Sequence, residues 1–401
     1  MKVVTANRHT WLCDGYTNLI VLGVYALVIS LLIGRGTYNV ALGIIAIGLI
    51  WQSAAGEQRL YTNGPLRWFL VSGMLLFVQG FLAATGPVGK SPYVILWCML
   101  ATLGVMQFPR RDESRWLHEI ALKSILIAFV VMHLIFTVFM TGWRYEGRPG
   151  MFSNIHFMSQ YAVITLPLLA FATKYSRPQV RGILALAILG DVWLLLASRS
   201  RPGYLAIVAA TLVVIPFIAS HLRWRILVIM AIVLGIIYYG NIANFSTRVE
   251  DLVANFSMDE RWEIWLESIR LQQNSTGLQW LFGHGLGRFV YDYQVVSQLH
   301  GIKLYVGPHN FIMEILYSHG VSGLLLVCLM YGWFIYRIVV VTWREAEGIV
   351  KGVGMLLLSL ATAQFVHGFF TIPFFSRDYL LPFSFVLGAG LIYIDRPFKA
   401  V

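Results

Sequence analysis

Four short stretches of this chain carry side chains suited to chemistry. Ser198-Arg199-Ser200-Arg201 sets two arginines beside hydroxyls. Arg261 stands in Asp259-Glu260-Arg261-Trp262-Glu263-Ile264-Trp265. Gly283-His284-Gly285-Leu286-Gly287 is a glycine cluster that runs straight into Arg288. His309 lies between Pro308 and Asn310. A guanidinium stays charged and matches phosphate oxygens through two parallel hydrogen bonds. A neutral imidazole can accept a proton near neutral pH, more so at a helix N-terminus that disfavours its charged form. The set therefore suits the handling of an anion, with His309 as general base.

Each stretch has a plainer alternative. Arg199 and Arg201 could reach lipid headgroups with their long stems. Arg261 could pair with a glutamate one turn away. The turn before Arg288 could offer backbone amides to phosphate, but it lacks the strand and helix of a nucleotide loop. His309 could be a capping or interfacial residue, and His284, His300, His319 and His367 suit structural roles.

The elements that would position these residues are apolar. Of 401 residues, 58% are hydrophobic and 12% charged, where a soluble domain averages roughly a quarter charged. Lipid is the natural solvent for such a chain, and each apolar run within it must be a helix that satisfies its own backbone. The spacing predicts an all-α integral membrane protein of about twelve transmembrane helices. Residues 1–240 hold helices 1–9, residues 241–308 a large, partly helical loop, and residues 309–401 helices 10–12. The first apolar run lacks a clear cleavage site, so it reads as a span and not as a signal peptide.

The basic residues set the orientation. Eighteen of the 30 Lys and Arg fall at one set of helix ends, seven in the opposite short loops and five in the long loop. Both termini are expected in the cytoplasm, with the long loop outside. The net charge of +11 is scattered between apolar runs, which points away from nucleic acid. Cys13, Cys98 and Cys328 imply no disulfide framework. No His, Cys, Asp and Glu set has metal-ligand spacing, so neither metal nor cofactor is expected. There is no serine nucleophile elbow and no Walker motif. A transporter would show midplane charges and repeated halves; here Asp191 is the main intramembrane carboxylate.

Inside the long loop, Ser257 through Glu260 fits a capping box. Trp262, Trp265, Leu266 and Ile269 then follow a helical period, predicting an amphipathic helix at the membrane interface. Pro308 is expected to open the next helix, with Gly320 and Gly323 permitting a kink or a close helix contact.

Taken in order, three of these pieces resemble the O-antigen ligase and polymerase superfamily of bacterial envelope glycosyltransferases. They are Ser200-Arg201 at a helix end, Arg261 in its aromatic helix, and Gly283 to Gly287 leading to His309-Asn310-Phe311-Ile312-Met313-Glu314 and Gly320-Val321-Ser322-Gly323. The resemblance covers about residues 180–340 and implies a GT-C-like architecture at the bacterial inner membrane, with a periplasmic site. It implies a glycan donor on undecaprenyl pyrophosphate and, for a ligase, the lipid A–core oligosaccharide as acceptor. Arg201 and Arg261, with Arg199 and Arg288 as further candidates, would bind the pyrophosphate, and His309 would position or deprotonate the acceptor hydroxyl. The reaction would be inverting and metal-independent. A polymerase would use the same donor with a lipid-linked acceptor. Pro202 departs from the small residue more usual in the family.

Overall fold

The structure, a computed structural model, describes residues 17–27, 37–55, 64–83, 93–107, 144–145, 148–149, 155–241, 245–247, 250, 260–300, 307–345, 348–371 and 377–394. The described chain is helical apart from one antiparallel pairing, Arg144–Tyr145 with Arg148–Pro149. We number the helices α1 (Thr17–Leu27), α2 (Thr37–Ala54), α3 (Gly64–Leu82), α4 (Tyr93–Gln107), α5 (Ile155–Tyr175), α6 (Pro178–Ser198) and α7 (Arg201–Val214). They continue with α8 (Ser220–Tyr239), α9 (Glu260–Gln273), α10 (Gly277–Phe282), α11 (Arg288–His300), α12 (Phe311–Arg344), α13 (Ile349–Phe370) and α14 (Arg377–Ile394).

Four of these, α6, α8, α12 and α13, are long and apolar enough to cross a bilayer, and six shorter helices are also apolar. The fold is that of a membrane protein. Large apolar side chains face outward along these helices, among them Leu186, Leu189, Ile229, Ile232 and Leu329. That outward display is stable only where lipid replaces water. The expected loop over 241–308 is partly helical, through α9, α10 and α11. Its predicted capping box at Ser257 lies largely outside the described residues.

The bundle is built around α13, which packs on α5, α7, α12 and α14. Small residues make this possible. Ala206 and Ala210 of α7 and Ala363 of α13 share one buried cluster, and small side chains let helix backbones approach where no hydrophobic drive exists between helices. At the start of α7, a Cβ on Gly203 would lie 3.0 Å from the Cβ of Ser159 on α5, so only glycine fits this crossing without displacement. Pro202 sits in the first turn of α7, where its missing N–H removes no helical bond.

Helix α12 is broken at Gly320, whose φ of 64° and ψ of −169° lie in a region reserved for glycine. The break leaves the carbonyls of Tyr317 and Ser318 without their helical partners. The glycine cluster supplies substitutes: His284 N–H donates to Tyr317 O at 2.9 Å, and Gly285 N–H to Ser318 O at 3.0 Å. Gly283 and Gly320 meet at this junction, and a Cβ on either would run into backbone of the other segment. The expected kink is thus also the dock for the long loop. Gln79 of α3 closes the knot, donating to Phe282 O, His319 O and Ser322 Oγ. Gly320→Ala should therefore cost about 1–3 kcal/mol in backbone strain before its clash is counted. The expected result is a lower melting temperature in detergent, with the Gly283–Gly285 turn released from α12.

Candidate active site

The described ends of α5, α9, α12 and α13 bring His156, Arg261, His309 and Thr371 near one another. Helix α6 stops with Arg199 in the left-handed conformation (φ 51°) and its N–H on Leu196 O. Ser198 Oγ accepts from Ser200 N–H at 3.2 Å, and Tyr204 donates to Leu196 O. This tight reversal separates the two arginines. Arg199 is exposed, whereas Arg201 is half-buried at the first position of α7.

Two contacts aim α9. Ile264 and Ser268 are buried, with Ile264 packed on Phe289, Tyr293 and Tyr317. Trp265 donates its indole N–H to Pro308 O at 3.1 Å, and its ring sits 6.2 Å from Phe369 and 6.3 Å from Phe370. Trp265 was expected to face the membrane interface with Trp262, Leu266 and Ile269. Those three are exposed, but Trp265 turns inward because its N–H finds a partner there. Arg261 lies one turn before Trp265 on the same helix face. The indole therefore ties the Arg261 helix to the backbone immediately before His309.

His309 does not begin a helix. Helix α12 starts at Phe311, capped by Asn310, whose side chain accepts from the amides of Ile312 and Met313. Pro308 precedes the cap and does not occupy the first turn. His309 itself holds a φ of 50°, a conformation that costs a non-glycine residue roughly 1–3 kcal/mol and tends to mark functional sites. Its Nδ1 lies 2.7 Å from Thr371 O. A carbonyl can only accept, so Nδ1 carries the proton and Nε2 of the neutral ring carries the lone pair. The tautomer thus comes from the end of α13, where the helix N-terminus was expected to act.

Thr371 continues inward. Its hydroxyl meets His367 Nδ1 at 3.0 Å, and His367 Nε2 meets Ser159 Oγ at 2.8 Å. His367 and Ser159 are fully buried. His367 had the structural role expected of it, and this network adds that it braces the carbonyl gripping His309.

A residue that sequence reasoning passed over completes the group. His156, in the first turn of α5, has its ring centroid 6.5 Å from that of His309. Arg261 lies close enough for its charge to act on the rings of both His156 and His367. Arg261 and His309, far apart in the chain, therefore share a neighbour. His156 could have been flagged because the expected topology puts the start of its apolar run on the same membrane side as His309.

Arg288 serves a different cluster. It pairs with both carboxylate oxygens of Asp292, at 2.9 and 3.1 Å, and Asp292 also accepts from Tyr317 Oη. His284 stacks on Tyr317 with centroids 4.2 Å apart, and burial holds its imidazole below the usual histidine range. The glycine turn and Arg288 thus fasten the loop to α12, a local reason to rank Arg288 below Arg201 and Arg261 as an anion ligand. Among the described residues, no group of three His, Cys, Asp or Glu side chains is placed to hold a metal.

The apolar helical bundle, with the imidazoles of His156 and His309 paired at its helix ends, defines a membrane protein of helical architecture. Residues 183–328 match the family model described as O-antigen ligase. The match contains Arg199, Arg201, Arg261, Arg288 and His309. His156, Ser159, His367 and Thr371 lie outside it. No curated protein matches the chain.

The indole of Trp265 offers a direct check on this arrangement. Trp265→Phe keeps the ring and deletes one hydrogen bond, worth about 1 kcal/mol. Glycan transfer should fall roughly 5–10-fold for that energy with the melting temperature nearly unchanged. A drop in melting temperature with unaltered transfer would assign the indole to stability alone.

Proposed function

We propose that this protein is an O-antigen ligase. It transfers a glycan from undecaprenyl pyrophosphate to the lipid A–core oligosaccharide at the periplasmic face of the inner membrane, with both termini in the cytoplasm. The observation that carries the proposal is the convergence of Arg261 and His309 on His156. An anion-binding group and a proton acceptor within reach of one ring are what displacement of a pyrophosphate by an alcohol needs.

The steps follow from this chemistry. The acceptor hydroxyl gives its proton to His309 Nε2. Its oxygen forms a bond to the anomeric carbon while the bond from that carbon to the pyrophosphate oxygen breaks, and the electron pair leaves with the pyrophosphate. Arg201 and Arg261 offset the negative charge that develops there. Attack opposite the leaving group inverts the anomeric centre. Pyrophosphate is already a good leaving group, and guanidinium neutralisation supplies the remaining stabilisation without a metal.

The lipopolysaccharide profile of a deletion strain tests the proposal. The expected result is lipid A–core lacking polymer, with lipid-linked polymer accumulating. Core bearing single repeats would assign the protein as a polymerase, which uses the same donor chemistry. An unchanged profile would remove both.

A further inference from the structure

We propose that His156 is a second catalytic imidazole, which holds the acceptor oxygen by donating a hydrogen bond while His309 takes the proton. The inference rests on the glycosyl-transfer reading of the site. It starts from tautomer logic. Because Thr371 O fixes the proton of His309 on Nδ1, Nε2 can only accept. A hydroxyl that donates to Nε2 still has two lone pairs. One must point at the anomeric carbon, and the other needs a donor if the oxygen is to keep a single orientation.

His156 is the described side chain placed to be that donor. A hydroxyl oxygen bonded to one nitrogen of each ring, at about 2.8 Å per bond and a tetrahedral angle, holds those nitrogens roughly 4.6 Å apart. The 6.5 Å separation of the ring centroids, with the planes tilted by 53°, accommodates such a bridge. The second requirement is position along the reaction axis. Arg261, the proposed pyrophosphate contact, lies close enough to act on His156, and His309, the proposed base, stands 6.5 Å from it between ring centroids. The ring thus neighbours both proposed groups. Third, its helix is held rigidly. Ser159, one turn on, donates to His156 O at 2.9 Å and meets buried His367 at 2.8 Å, while Gly203 packs against its Cβ. The same His367 meets Thr371. One buried histidine thus ties together the two segments that carry the imidazoles, through Ser159 on the His156 helix and Thr371 beside His309.

The bond changes balance without any added reactant. The hydroxyl proton ends on His309 Nε2, the N–H of His156 stays on its ring, and the pyrophosphate departs with the electron pair.

The test compares His156→Ala and His156→Gln in the full chain, reconstituted in lipid nanodiscs with lipid-linked glycan donor and lipid A–core. Gln keeps an N–H donor near the same place, whereas Ala keeps nothing. His156→Ala should lower kcat about 100-fold, within the range for a positioned group acting on the reacting atom, with the donor KM changed less than threefold. His156→Gln should recover to within about tenfold of the parent. Should the alanine variant not insert, the glutamine variant carries the test through its kcat and unchanged donor KM. Transfer in His156→Ala within a few fold of the parent overturns the proposal. So does equal loss in both variants, or a parallel collapse of donor affinity, since either marks a packing role. Polymer extension of a lipid-linked acceptor by the parent protein would correct the ligase assignment while leaving the same two ratios to be read.

Discussion

Replacing His309 with alanine should lower glycan transfer by about 10²–10⁴-fold, the usual contribution of a positioned general base. Donor binding should persist, because the guanidiniums of Arg201 and Arg261 are untouched. The loss should appear in kcat, with the donor KM near its parent value, as expected when an interaction made only in the transition state is removed. The fold should survive as well. His309 sits before the Asn310 cap and contributes no helical hydrogen bond, so the only backbone penalty of alanine is its poorer fit to the left-handed conformation. His309→Asn tolerates that conformation better than alanine and still lacks a proton acceptor of suitable basicity, so it should be equally inactive. Parent-like transfer in either variant would remove the general-base role and leave His156 to be examined as the base.

The second large effect concerns the arginines. Arg261→Ala should lower transfer by about 10²–10³-fold, the size found when one preorganised donor to a developing negative charge is deleted. Arg201→Ala should act in the same direction. If both groups bind one diphosphate, as proposed, the two substitutions should be less than additive. Lysine at either position keeps the charge and loses the planar fork, so partial recovery is expected, and complete recovery would argue against bidentate contact. Arg199→Ala and Arg288→Ala serve as comparisons. Arg199 is exposed and should have the smaller effect on transfer. Arg288→Ala should act through stability, because it strips Asp292 of its guanidinium and loosens the cluster under Tyr317. A melting-temperature shift without a specific loss of donor use would bear this out.

The arginines differ because of where each helix ends. Ser198 to Arg201 looks like one cationic patch in sequence, yet the left-handed turn at Arg199 sends the neighbours into different surroundings. The glycine cluster shows the same divide. Its residue types announced a turn, but whether its amides faced phosphate or protein depended on the broken helix at Gly320. Two orphan carbonyls there took the amides of His284 and Gly285.

Much was determined by the sequence alone. Continuous apolar runs of this length with few charges become helices in lipid, because a helix pairs every backbone group within its own segment. The helical loop and the kink near Gly320 follow from local spacing and residue chemistry. Only the tertiary structure decided which side chains meet. The bond from His309 to Thr371 crosses 62 positions and that from Ser159 to His367 crosses 208. No periodicity encodes such pairs, because they form when α13 packs between α5, α7 and α12. His156 escaped notice for that reason, and Trp265 reversed its expected direction because a carbonyl at Pro308 came within reach. Local physics chose the helices, and the packing of small residues at their crossings chose the neighbours.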